Sequence, residues 1–463
     1  MSDTVHPVPE APRDRPPGLW RHRDFLLLWS GQAVSEMGSA VTLLAVPLIA
    51  VVLLHASTFS VGLLATASTL PFLIIALPAG LIVDRFAKRP MLIACDASRL
   101  VVIGSVPVAA AAGVLTMAQL FAVALVAGIL TVFFDVAYQS YLPALIRADQ
   151  LADGNGKLSV TQSLAQVAGP GLGGALFGLL RAGALTVDAI SYGVSTLSLL
   201  LIRAREPAIE RPAAGAGGER PKLRTEIFAG LSFVLRHPVL RKIAACTGTA
   251  NLFGSITFAL EIIFLVRVLH VRPEYTGLLV AAGSVGGIVA GLASGTLTRW
   301  IGSARIIWVS MLGFGALGLL LPLAAQGWRL ALYAVGLLGF SFSAVLYNVA
   351  QVSYRQAICP PELLGRMNAA VRWIVWGTLP LGSLAGGVLG TLIGVRPALW
   401  VGMIGSWAAG FWVLFSPLRR MRDVPAGPEP SGPPPGEPVL GEPVLGEPLP
   451  GGIMLDQTAR GEN

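Results

Sequence analysis

The stretch "FFDVAYQSYLPALIRADQLADGN", Phe133 to Asn155, lies over "VLYNVAQVSYRQAICPPELLGRMN", Val345 to Asn368, once Asp135 is matched to Asn348. Without a gap, the same shift pairs Val136 with Val349, Ala137 with Ala350, Tyr141 with Tyr354, Leu151 with Leu364 and Asn155 with Asn368. It continues to Gly169 with Gly382 and to Gly173-Gly174 with Gly386-Gly387. The chain repeats itself, so what separates the copies decides how its halves are related.

Composition says what those elements are. Of 463 residues, 54% are hydrophobic and only 13% charged, against roughly a quarter charged in ordinary globular proteins; the mean hydropathy is +0.71. Apolar runs of about 20 or more residues recur, each long enough to cross a hydrocarbon core of roughly 30 Å as a helix. Periodicity and breakers predict an all-α membrane protein with spans near Phe25 to Leu54, Ser60 to Val83, Met91 to Ala112, Gln119 to Ile146, Leu158 to Leu180 and Leu185 to Ile202. A second set runs near Val239 to Leu269, Tyr275 to Leu297, Ile306 to Ala325, Leu330 to Ile358, Leu363 to Ile393 and Pro397 to Phe415. An even number of spans separates the copies, so the two bundles of six share an orientation about an axis along the membrane normal. That is the architecture of alternating-access transporters, with the substrate path between the bundles near the midplane.

The division expected is a cytosolic arm over 1–23, a first bundle over 24–203, a linker over 204–238, a second bundle over 239–417 and a disordered cytosolic tail over 418–463. The linker ends in "IFAGLSFVLRHP", which reads as an amphipathic surface helix; the tail carries a GEPVL repeat too rich in Pro and Gly to fold. The net charge of +8 does not signal nucleic acid, because the basic residues are spaced between the apolar runs as topology signals. With the N-terminus inside, the inner loops hold most of them, and the outer loops only Arg181, Arg267, Arg272, Arg329 and Arg396. Both termini are expected in the cytosol of a multi-pass cell-membrane protein. The N-terminal segment is Pro-rich and of mixed charge, unlike a cleaved signal. The three cysteines, Cys95, Cys246 and Cys359, have no CxxC or His spacing, so neither a disulfide framework nor a metal site is expected.

Two motifs carry a resemblance. Gly80-xxx-Asp84-Arg85-xx-Lys88-Arg89, between spans two and three, resembles the G-x-x-x-D-R-x-G-R-R/K loop signature of the major facilitator superfamily, with Ala87 where the second glycine is usual. The resemblance implies that Asp84 and its basic neighbours lock the cytosolic ends of the two bundles in the outward-facing state; a plain positive-inside anchor is the alternative. In span five, "AQVAGPGLGGALFG" is similar to the G-x-x-x-G-P-x-x-G-G motif of the exporters of that superfamily, matching at Gly169, Pro170, Gly173 and Gly174, with Ala165 at the first position. Such residues permit kinks and close helix approach; in the second copy Gly382, Gly386 and Gly387 lack the Pro and read as a packing face. With "AYQSYLP", "ALPAGLIVDR" and "DAISYG", these stretches resemble the branch containing macrolide, siderophore and other drug exporters.

Ionisable groups inside a span are costly and are functional candidates by default. Glu36 lies about 11 residues into span one, roughly 17 Å at helical rise and so near the midplane. Asp135 is in span four, its repeat partner Asn348 in span ten, and Glu261 and Asn251 in span seven. In the superfamily spans one, four, seven and ten line the central cavity, which makes Glu36, Asp135, Glu261 and Asn348 candidates for proton coupling or substrate contact. Buried hydrogen bonding between helices is the alternative for Glu36 and Asp135, and a pair with Arg267 for Glu261. Arg372 reads as a counter-charge or an anion contact, and Trp373 and Trp376 as cavity or packing residues. Asp188 reads as a helix-start carboxylate at the outer surface, and Lys157 as a snorkelling side chain.

These readings converge on a monomeric secondary transporter that exports a hydrophobic or amphiphilic small molecule, such as a drug, macrolide or siderophore, in exchange for protons. No cofactor is called for. An importer or uniporter on the same scaffold, or a membrane sensor or lipid-handling protein, is the alternative. No Walker A sequence points to ATP, and neither a GxSxG nor a metal-spaced set among the five histidines points to an enzyme.

Overall fold

Lipid offers the backbone no hydrogen-bond partners, so a spanning segment satisfies its N–H and C=O groups within its own helix. The computed structural model describes residues 19–83, 85–204, 206, 232–359 and 361–423, and these are overwhelmingly helical. The first half comprises α1 (Arg23–Leu48), α2 (Thr58–Ile74, then Ala76–Val83), α3 (Lys88–Ala111), α4 (Met117–Leu145), α5 (Leu151–Leu180) and α6 (Ala184–Leu201). The second comprises α7 (Leu240–Ile263), α8 (Pro273–Ile301), α9 (Arg305–Leu312, continued as a 3₁₀ helix over Phe314–Leu323), α10 (Leu330–Ile358), α11 (Pro361–Leu392) and α12 (Val395–Ala408, then Gly410–Leu414). Most of the expected linker helix, the N-terminal arm and the C-terminal tail lie outside the described residues; 232–236 are helical.

Local chemistry accounts for the departures from straight helices. In α2 the turn at Ile75 falls where Pro78 offers no N–H to the Ile74 carbonyl. The 3₁₀ stretch of α9 contains Gly315, Gly318 and Pro322, which weaken an α-helical ladder. Helix α5 begins before its apolar run, and its polar first turns are held by an ion pair between Lys157 and Asp153 one turn apart. Lys157 also lies over the Trp20 ring, 5.2 Å from its centroid.

The duplication is visible in backbone detail that hydropathy does not carry. Helices α1 and α7 both end in a π-helical turn, Ile49–Leu53 and Phe264–Val268. Each turn is followed by a histidine in the left-handed region, His55 at φ 49° and His270 at φ 54°. The caps match bond for bond: Leu54 N donates to Ile49 O and Ala56 N to Ala50 O, as Leu269 N does to Phe264 O and Val271 N to Leu265 O. The packing repeats as well, with α1 on α5 and α6 answered by α7 on α11 and α12.

At the face that carries both described ends of the chain, each half closes the start of its third helix with a carboxylate from beyond its sixth. Glu206 accepts the backbone N–H groups of Lys88, at 2.8 Å, and Arg89, while Asp423 accepts Ser303 N at 3.0 Å and Ser303 Oγ at 3.2 Å. The loops differ in one respect. Gly302 sits at φ 104°, where a Cβ would be 2.3 Å from Arg422 O, whereas the N-cap Ala87 is extended at φ −62°, ψ 133° and needs no glycine.

Contact between the halves runs along two seams, α2 on α11 and α5 on α8. Both are built on glycine. A Cβ at Gly62 would lie 2.4 Å from Gly387 Cα, and one at Gly277 would lie 2.0 Å from the Pro170 carbonyl oxygen. From the face remote from the chain ends, the α5–α8 seam continues inward to Ser284 Oγ, which donates to Gln166 O at 2.7 Å. The α2–α11 seam reaches Trp373 Nε1, which donates to Leu73 O at 3.3 Å. A third tie at the remote face joins the two π-turns: Arg267 Nη2 donates to Val51 O at 3.1 Å. Toward the terminal face the described glycines show no such close approach between the halves. Gly80, Gly156, Gly291 and Gly295 have nothing within 4 Å of where a Cβ would stand.

Two outcomes follow. Overpacking costs about 1–3 kcal/mol, so Gly277→Ala is expected to shift molecules toward a form open at the remote face; electron-spin distance measurements between labels at Arg181 and Arg272 should lengthen, and an unchanged distribution would remove the seam's role as a gate. The Ser303 amide holds the exposed Asp423 carboxyl below the usual carboxylate range, so its contribution is present at neutral pH and lost as pH falls through that depressed pKa. Hydrogen exchange at 299–305 should accelerate on acidification in the parent, and be fast and pH-insensitive, after correction for intrinsic rates, in Asp423→Ala.

Candidate functional site

Between the seams, with its walls on α1 to α8, lies a cavity of about 490 Å³. Its lining is mostly apolar, and its ionisable members are Glu36 on α1, Arg99 on α3, Asp135 on α4 and Glu261 on α7. The polar wall follows from helical spacing. Gln32, Ser35, Glu36 and Ser39 fall at i, i+3, i+4 and i+7 on α1, one face of the helix. Gln32 Nε2 donates to Glu36 Oε1 at 2.8 Å, one turn away. Glu261, at the other side, accepts the hydroxyl of the fully buried Tyr333.

Behind the α1 wall runs a polar layer shared by α1, α3 and α6. Asp96 and Arg99, one turn apart on α3, form an ion pair at 3.2 Å with side chains 0% and 5% exposed. The second carboxylate oxygen of Asp96 accepts Ser195 Oγ at 2.6 Å. Arg99 also donates Nη2 to Leu130 O at 3.0 Å, and its guanidinium lies 4.5 Å from the Phe134 ring centroid and 5.2 Å from that of Tyr192. Its Nε is buried without a hydrogen-bond partner. On α6, Asp188, Ser191, Tyr192 and Ser195 repeat the i, i+3, i+4, i+7 spacing and face α1 and α3. The Tyr192 hydroxyl bonds to Ser39 Oγ at 2.9 Å, and Asp188 accepts Thr42 Oγ1 and Ser191 Oγ. Gly38 makes room for this layer, since a Cβ there would stand 2.5 Å from Asp188 Oδ1.

Two expectations are corrected by this geometry, the placement of Asp188 and the partner of Glu261. Asp188 is not a surface helix-start residue; α6 begins at Ala184, one turn before it, and its side chain is 0% exposed, packed between α6 and α1. Glu261 does not pair with Arg267: six positions put the two on different helix faces, and Arg267 is spent on the Val51 carbonyl. Asn348 is exposed, accepts from Gln351 Nε2 at 2.9 Å and is not among the cavity residues. Asn251 Nδ2 donates to Val375 O at 3.2 Å across the α7–α11 contact. Trp376 packs edge-on against Phe72, 5.0 Å between centroids, at the seam bordering the cavity. The side chain of Arg372 lies outside the described residues.

Of the loop motif, Asp84 lies outside the described residues. Arg89 donates to the last carbonyls of α6, Nε to Leu199 O and Nη2 to Leu200 O, both at 2.9 Å. Lys88 Nζ donates to the Val83 and Phe86 carbonyls. Both basic groups are thus engaged within the first half. In the span-five motif, Gly169 sits on Ala40 of α1, Gly173 on Val41 of α1, and Gly174 on Gly277 of α8. Their repeat partners do the same work: Gly382 meets Leu252 of α7 and Gly387 meets Gly62 of α2.

The Asp96–Arg99 pair and the hydroxyl layer were not among the sequence candidates. Their signal was present in the four-residue polar stripes of α1 and α6 and in the i, i+3 acid–base pair of α3. Among the described residues no group of three or more His, Cys, Asp or Glu side chains is placed to hold a metal ion. Because a buried acceptor deprived of its donor costs about 1–3 kcal/mol, Thr42→Val, which keeps the shape and removes the Asp188 donor, is expected to lower the thermal midpoint in detergent. Thr161→Val, which removes the hydroxyl that accepts Trp29 Nε1–H at a part-buried site, should move it much less.

Comparison with known proteins agrees with this architecture. Residues 18–440 match the model of the family described as transmembrane secretion effector. The multidrug efflux pump Tap of Mycolicibacterium fortuitum is 26% identical over 87% of this chain and 98% of its own length. Macrolide efflux protein A of Streptococcus pyogenes is 23% identical over 80% of this chain and 90% of its own. The crystal structure of the nucleoside transporter NupG superposes with a TM-score of 0.65 over 84% of this chain and 97% of that one, at 11% identity. The duplicated six-helix halves, the interhelical seams and the match over nearly the whole described chain lead to one conclusion: the protein is a transporter of the major facilitator superfamily, belonging to its transmembrane secretion effector family.

Proposed function

We propose that the protein exports a hydrophobic or amphiphilic small molecule from the cytosol in exchange for protons, as a monomer. The observation that carries this reading is the cavity between the halves, closed by glycine seams on one side, with the carboxylates of Glu36, Asp135 and Glu261 on its wall. The excess of Lys and Arg at the terminal face supports a cytosolic side for it, and in that orientation the conformer described is the one loading from the cytosol. The names of the relatives, a multidrug efflux pump and a macrolide efflux protein, support the direction and the class of cargo.

In this reading 24–203 and 239–417 move as two bodies about the cavity. The segment 204–238 connects them, and 1–23 and 418–463 stay in the cytosol. An ionised carboxylate in such a cavity is favoured only while water, a cation or a counter-charge reaches it. Glu36, Asp135 or both therefore give up a proton to the cytosol when the cavity opens there and the cargo enters. They regain one from the outside after the cargo leaves, which makes cargo and proton alternate. The cluster Asp84, Arg85, Lys88 and Arg89 would bind the cytosolic ends once they close, leaving the contacts that Lys88 and Arg89 make in the cytosol-open form.

The test is substrate-induced proton release from purified protein in detergent, together with uphill transport in proteoliposomes under a proton gradient. Glu36→Gln and Asp135→Asn are expected to keep binding of a neutral cargo while losing most proton release and accumulation. If the double variant still releases protons and pumps uphill as the parent does, the coupling group is another one, and this assignment falls.

A further inference from the structure

Among the described residues Arg99 is the only cationic side chain lining the cavity. Its charge is already answered. Asp96 lies one turn away at 3.2 Å, both side chains are almost wholly buried, and the carboxylate is pinned from its other oxygen by Ser195 Oγ at 2.6 Å. The guanidinium is also clamped between the rings of Phe134 and Tyr192, so it has no room to swing without breaking two aromatic contacts and the bond to Leu130 O. The Arg99 Nε is buried without a partner, and beside Asp96 the guanidinium presents the cavity with little net charge. On the neighbouring α1 wall the hydrogen-bond partner of the Glu36 carboxylate is neutral, Gln32, so that wall carries a negative charge when Glu36 is ionised.

From this arrangement we infer that Asp96 is the residue that sets the charge preference of the cavity: by neutralising Arg99 it leaves an anionic wall, and the cargo it favours is a lipophilic cation. The inference rests on the reading of the cavity as the transport path and deepens it by naming the class of cargo. It also makes the preference reversible. Breaking a buried pair by removing one partner leaves the other charge uncompensated, so a chain with a neutral residue at 96 presents a free guanidinium to the same cavity. Removing both charges together leaves the cavity as anionic as before.

Tetraphenylphosphonium and tetraphenylborate share one shape and carry opposite charge, which isolates the charge effect from the apolar contacts. Their equilibrium binding to the purified full-length protein would be measured calorimetrically in nonionic detergent, with protein-free micelles subtracted. The parent is expected to prefer the cation by about tenfold or more, the size of a single unscreened charge contact at a partly wet site. Asp96→Asn is expected to weaken cation binding about tenfold and to strengthen that of the borate by a similar factor. The double variant Asp96→Asn with Arg99→Gln should keep the parent preference to within about threefold, a change under 1 kcal/mol.

Equal binding of the two ions by the parent, binding of neither, or a preference for the borate would overturn the inference. So would a double variant that has lost its cation preference, because Arg99 would then not be silent in the parent. Should Asp96→Asn not fold, the parent and the charge-balanced double variant still decide. Selective cation binding without export in proteoliposomes would instead remove the transport reading and leave the charge preference standing.

Discussion

Two pairs of helices meet with no side chain between them, α2 with α11 through Gly62 and Gly387, and α5 with α8 through Gly174 and Gly277. Nearly everything else in the molecule is placed by that approach. Without a hydrophobic drive between helices in lipid, association depends on close packing, and small residues let backbones come within van der Waals contact. Because the four glycines lie toward the face remote from the chain ends, the halves are pinned there and free to diverge at the other. The cavity is what remains between them, and its depth is set by how far the seams run, to Ser284 on one side and Trp373 on the other.

The second constraint is charge in a medium that does not solvate it. A bundle that buries Asp96, Arg99 and Asp188 almost wholly has to supply most of their solvation from side chains. It does so in two ways. Asp96 is answered by a full counter-charge and a serine hydroxyl, and Asp188 by two hydroxyls lodged where Gly38 leaves a notch. This layer binds α1 to α3 and α6, so the helix that carries Glu36 is fixed from behind. On the reading of Glu36 as a proton carrier, such a support keeps its wall from moving with its charge.

How much of this could be read from the sequence follows from what lipid does and does not impose. The bilayer sets a minimum apolar length, which makes spans legible to within a few residues, as α10 at Leu330–Ile358 illustrates. The repeat was legible because glycines that admit a neighbouring backbone tolerate no substitute, and Gly169 and Gly382, or Gly174 and Gly387, occupy equivalent contacts. Hydropathy does not say which face of a helix looks inward. Position in the span alone therefore reads Asp188 as an end residue, although its stripe with Ser191, Tyr192 and Ser195 points to a partner helix, and the Asp96–Arg99 pair shows only as an acid and a base one turn apart. Glu261 was legible as a cavity candidate by its span, but its partner Tyr333 comes from another helix, where sequence distance carries no information.

The remote closure and the cavity wall are not independent, because α7 serves both. Its inward face presents Glu261 to the cavity, its flank carries Ile256 and Leu260 against Gly386 and Gly390 of α11, and its π-turn sends Arg267 to the Val51 carbonyl of α1. A π-turn widens the helix by a residue and leaves carbonyls without their usual donors, so the Val51 oxygen is available to an arginine from the other half only while both turns keep that form. Separating the halves at the remote face breaks the Arg267 bond and returns the arginine to water, while Glu261 and Tyr333, one turn deeper, lose the cover of the seam. On the transport reading, the side chains that sense the cargo and those that hold the gate shut are therefore carried by one rigid helix, and its rotation exposes them together.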